Sequence, residues 1–187
     1  MNRSWNWAPK QVVLVAVFAA ATFAVSFALG YAVTMSLGPG TSGVFTIVAT
    51  TVLVVVCARI VPKKGVFTIL VTLFTLMAIP TSMFGPPGPH KVIIGLLTGL
   101  VYDLTWNLTG RRRFSLPVAA AMATAASIAL IFGLMILLGH PRVSYLRSIM
   151  YYIVPLYGAL GFLGAWFGNW IYDKRIQGLP MAEQFRT

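Results

Sequence analysis

QVVLVAVFAAATFAVSFALGYAVTM, residues 11–35, holds no charged side chain. Within it alanine returns at every fourth position, at Ala16, Ala20, Ala24, Ala28 and Ala32. Residues four apart stack along one face of an α-helix. The stretch therefore predicts a helix that is apolar all round and smooth along one side. Such a helix belongs in a large core or in lipid. In lipid, a line of small residues lets a second helix approach closely and pack by van der Waals contact. That second helix belongs either to the same chain or to a separate membrane subunit, and the spacing alone does not choose between them.

Composition extends the membrane reading to the whole chain. The 187 residues are 58% hydrophobic and 9% charged, against about 25% charged in a soluble domain. Lys and Arg total 14, Asp and Glu 3. In a soluble protein that excess would point to nucleic acid. Here the cations sit between apolar runs, so they set topology and no nucleic-acid partner is expected. Cys57 is the single cysteine, which excludes an intrachain disulfide and a cysteine metal cluster. Arg3 and Lys10 ahead of the first run imitate a signal peptide. A signal's apolar core covers only ~7–15 residues, so this longer run reads as a retained span.

Six apolar runs are separable, at residues 11–35, 44–60, 66–83, 92–107, 114–138 and 148–172. Nothing alternates with period two, and backbone groups in lipid must be satisfied internally. The expectation is one all-α integral membrane domain of six transmembrane helices across residues 1–187. Pro80 closes the third run, Pro117 sits in the first turn of the fifth, and Pro155 is a kink candidate in the sixth. Arg3, Lys10, Arg59, Lys63, Lys64, Arg111, Arg112, Arg113, Lys174, Arg175 and Arg186 fall on one side of such a bundle. Lys91, Arg142 and Arg147 are left for the other. The positive-inside rule then places both termini in the cytoplasm, and the expected location is the plasma membrane. Trp5, Trp7, Trp106, Trp166, Trp170 and Tyr172 fall near the inner interface, as an aromatic belt would.

Candidate chemistry is sparse. There is no HExxH, GxSxG or Walker loop, and no pair of intramembrane carboxylates. No enzyme, no catalytic residue and no cofactor is expected. Asp103 is the one acid inside a run. It reads as an interfacial residue or a partner of Arg111, Arg112 and Arg113, with proton coupling the sharper alternative. His90 and His140 lack a third ligand, so no metal is expected. On the outer side His90, Lys91, His140, Arg142, Tyr145, Arg147 and Tyr151 gather in stiff Pro/Gly loops or just beyond them. Lys and Arg offer charge-assisted donors to carboxylate or phosphate, and tyrosine supplies a flat amphipathic wall. These seven are the candidate ligand contacts. The plain alternative is that they decorate an outer interface. Gly95, Gly99, Gly161, Gly164 and Gly168 read as close helix contacts inside the bundle.

The first-helix alanines Ala16, Ala20 and Ala24, with GPPGPHKVIIGLLTGLVYDL at residues 85–104, resemble the substrate-binding (S) components of energy-coupling factor transporters. The likeness covers the whole chain as architecture. It implies uptake of a vitamin or related small molecule, bound near the outer face under the first, third and fifth loops. It also implies docking of the alanine line, at Ala16, Ala20, Ala24 and Ala28, on a scaffold transmembrane subunit driven by two ABC-type ATPases. Lys91, Arg142 and Tyr145 become the first ligand contacts by their place in those loops. A cationic outer face leans toward a substrate carrying carboxylate or phosphate, and a neutral ring compound stays open. The rival functions are a non-catalytic structural or assembly subunit of a larger membrane complex and a small self-sufficient channel or facilitator.

Overall fold

The computed structural model describes residues 7–38, 41–82, 87–110, 114–137 and 143–179, with the side chains of residues 143–147 outside that description. Among the described residues the chain is all-helical: α1 (Pro9–Leu37), α2 (Ser42–Ile60), α3 (Val66–Met77), α4 (His90–Leu108), α5 (Ser115–Leu137) and α6 (Val143–Ile171). A π-helical turn, Tyr172–Ile176, continues α6. Four of these stretches are long and apolar enough to cross a membrane: α1, α2, α5 and residues Ser148–Ile176.

Local chemistry sets the ends. Pro9 opens α1 where its missing N–H costs nothing, and Gln11 Oε1 accepts the Ala8 N–H at 3.1 Å. Gly65 takes φ 79° to turn the chain into α3, a left-handed conformation that glycine adopts without Cβ strain. α3 stops at Met77, short of the run ending at residue 83 that hydropathy marks out. Pro80 keeps the residue before it out of the helical region and offers no N–H. At 12 residues α3 is about 18 Å long, well under the ~30 Å of hydrocarbon. α6, by contrast, runs through Pro155.

The helices close into a ring. α1 lies between α2 and α3, α3 meets α4, α4 meets α5, α5 meets α6, and α6 returns to α2. α2 also touches α3 and α5, and Val54 through Ala58 on it are all buried. Glycines permit the closest approaches, as the sequence predicts. A Cβ on Gly164 would lie 2.9 Å from Val48 O, one on Gly168 3.0 Å from Val52 O, and one on Gly99 2.5 Å from Thr68 Cα. At the far end of α2, Arg59 donates to Asp173 Oδ1 at 2.5 Å and Asn169 Oδ1 at 3.3 Å, and covers the Tyr172 ring at 4.5 Å. Trp166 and Trp170 are exposed on α6, and Trp5 lies outside the described residues. Trp106 and Tyr172 instead belong to the core, because both face neighbouring helices rather than the perimeter.

α1 presents Gln11, Val15, Ala19, Thr22 and Ser26 to the bundle. The line of alanines runs beside that face. Ala16 is half-buried, and Ala20, Ala24, Ala28 and Ala32 are exposed.

Gly99→Ala should destabilise the chain by about 1–3 kcal/mol, because the new methyl meets backbone that cannot yield. Gly133→Ala has nothing within 4 Å of its added carbon and should leave stability level or slightly raised. Thermal unfolding of both variants in detergent checks the pair.

Candidate functional site

The site is built on the α3–α4 pair. Lys91, in the first turn of α4, is fully buried. Its Nζ donates to Ala78 O at 3.0 Å and to Thr81 O. These carbonyls lie where α3 ends, and a cation there also meets the negative end of the helix dipole. Further along α4, Asp103 is buried. Its Oδ2 accepts the backbone N–H of Thr68 at 2.9 Å and the Thr68 hydroxyl at 2.7 Å. Thr68 is in the first turn of α3, where amide N–H groups lack intrahelical partners and an anion is favoured. Asp103 is therefore an interior group capping α3, rather than a residue at the interface. Arg111, Arg112 and Arg113 lie outside the described residues.

Between α2, α3, α4 and α5 lies a chamber of about 70 Å³. Apolar side chains dominate its wall, among them Ile47, Val54, Leu70, Phe74 and Ile94. Hydroxyl groups interrupt it. Most are spent on backbone, as threonines in helices commonly are. Thr51 bonds Ile47 O, Thr75 bonds Val71 O and Thr72 O, and Thr124 bonds Ala120 O, Ala121 O and Tyr157 O. Thr98 and Tyr102 line the same chamber, and their hydroxyls have no hydrogen-bond partner among the described residues. Thr98 is 8% exposed and Tyr102 3%. Each hydroxyl left this way costs about 1–3 kcal/mol. The two stand four residues apart on one face of α4, about 6 Å along its axis. Phe67 stacks on Tyr102 at 3.8 Å and meets Trp106 edge-on at 5.0 Å.

A second recess, about 380 Å³, opens between the ends of α1 and α2 and reaches Ser82. It adjoins the chamber, since Ile47 and Thr50 line both. The Ser26 and Thr50 hydroxyls bond each other at 2.7 Å beside that junction.

Of the candidate contacts, Lys91 reaches the chamber. His90 is half-buried and does not line it, and Tyr151 is 82% exposed on α6. His140, Arg142 and the side chains of Tyr145 and Arg147 lie outside the described residues. Thr98 and Tyr102 escaped sequence reasoning, which looked for charge in loops. Their signal was the spacing of Lys91, Gly95, Thr98 and Tyr102 along one helical face.

A family model described as hypothetical bacterial integral membrane protein (Trep_Strep) matches residues 9–151, which run from α1 into α6. The chain belongs to this family. Neither a curated protein nor a solved structure matches it. Family membership places the ring and its chamber in an integral membrane protein.

Lys91→Met should lower the melting temperature of the ligand-free protein, since a hydrogen bond from a charged group is worth about 1.5–3 kcal/mol. An unchanged melting temperature would instead make Lys91 a ligand contact alone.

Proposed function

We propose that the chain is the membrane-embedded substrate-binding subunit of an ATP-driven uptake transporter of the energy-coupling factor type, taking up a vitamin or related small molecule. The outward alanine line carries this reading. Ala20, Ala24, Ala28 and Ala32 are exposed, and the bundle packs against a different face of the same helix. A smooth line of small residues unused by the chain's own core suits close packing by a helix from another membrane subunit. Membership of a bacterial integral membrane family agrees with a transporter component, and the chamber supplies a place for its cargo.

In this reading all six helices cross the plasma membrane and both termini are cytoplasmic. α3 and α4 cross as a pair, each satisfying the other's buried polar groups. The subunit performs no chemistry of its own. It holds its cargo while two ABC-type ATPases, acting through a scaffold transmembrane subunit, drive release on the inside. A structural or assembly subunit would share the docking line but would have no use for the chamber.

Ala20→Leu with Ala24→Leu should abolish co-purification with the scaffold subunit and ATPases and leave the melting temperature unchanged. Co-purification at wild-type yield would sink the docking assignment.

A further inference from the structure

The chamber has a definite chemistry. Thr98 and Tyr102 line it, are more than nine-tenths buried, and carry hydroxyls that lack partners among the described residues. A hydroxyl both donates and accepts, so the pair asks for a group that can do the same. Of the other lining threonines, Thr51, Thr75 and Thr124 bond backbone carbonyls, and Thr50 bonds the Ser26 hydroxyl. Among the described lining residues Lys91 is the one charged side chain, and its ammonium is engaged by Ala78 O and Thr81 O at the end of α3. An anion in this apolar chamber would therefore have to share a cation already balanced by carbonyls, at a heavy desolvation cost. A neutral molecule would lose little on entry. Phe74 and Tyr102 add aromatic walls, which suit a flat ring.

We propose that the chamber at Thr98 and Tyr102 binds a small uncharged ring compound carrying adjacent donor and acceptor groups, and that Lys91 shapes the site without neutralising the ligand. The proposal rests on the substrate-binding function above and reverses the preference for anions that the outer cations imply.

The test uses the full chain in lipid nanodiscs and two probes of similar size: 2-pyridone, neutral with an N–H and a carbonyl side by side, and nicotinate, an anionic ring. Calorimetric titration should show saturable 2-pyridone binding, roughly tenfold or more weaker in Thr98→Val/Tyr102→Phe, as loss of hydrogen-bonded contacts implies. Nicotinate should bind at least roughly tenfold more weakly than 2-pyridone. The ligand-free double variant should melt at or above the wild-type temperature, because replacing partnerless hydroxyls by isosteric apolar groups is neutral or stabilising. A clearly lower melting temperature would mean that the hydroxyls already have partners, such as buried waters, and would overturn the proposal. Tighter binding of nicotinate, lost in Lys91→Met, would overturn the neutral-ligand class and leave the substrate-binding function standing. Binding of neither probe, with no small-molecule adduct in the native mass spectrum of the gently purified chain, would overturn both.

Discussion

α4 holds α3 by its two ends, and the centre of the bundle depends on that grip. Lys91 meets the carbonyls where α3 stops, and Asp103 meets an amide where it starts. The two side chains are 12 residues apart on α4, and α3 is 12 residues long. Two antiparallel helices with equal rise per residue thus bring each charge to the matching terminus. The signs also suit the dipole of α3, with the anion at its N-terminus and the cation at its C-terminus. An α-helix too short to cross the hydrocarbon leaves polar ends that must be satisfied inside it. Here its neighbour satisfies them, with two charges that would otherwise be prohibitive to bury.

That grip defines the chamber. With α3 held alongside α4, Gly95 and Gly99 bring the two backbones into close contact, and the faces of α2 and α5 close the remaining sides. Lys91 and Tyr102 stand at the two ends of the α4 wall, and Phe67 stacks on the Tyr102 ring. Polar groups that the fold requires are matched to partners. The Thr98 and Tyr102 hydroxyls are the exceptions on the α4 wall among the described residues. The same helix therefore carries Lys91 and Asp103, matched to the ends of α3, and two hydroxyls without partners among the described residues.

α1 divides its labour in a similar way. Val15, Ala19, Thr22 and Ser26 bind it to the ring, partly through the Ser26–Thr50 hydroxyl pair. The neighbouring alanines remain outside. Close packing of α1 on α2 and α3 is thus achieved without using its smoothest face, which stays exposed.

Much was legible in the sequence. Apolar runs and their breaks determine that the chain is helical and where most helices lie, because lipid leaves an unpaired backbone no alternative. Gly65, Pro80 and Pro9 mark ends through their backbone geometry, and the five glycines predicted as close contacts point at neighbouring helices or their side chains. The direction each helix faces was not legible. In a soluble helix the polar side reports which face is outside. α1 is apolar on every face, so composition cannot rank Ala19 against Ala20, and only packing decides that the first is core and the second is surface. For the same reason Lys91 and Asp103, read alone, belong at interfaces. Their burial becomes affordable only once α3 is known to be short and to offer its two ends at the right separation, and that is a property of the pair of helices, not of either sequence segment.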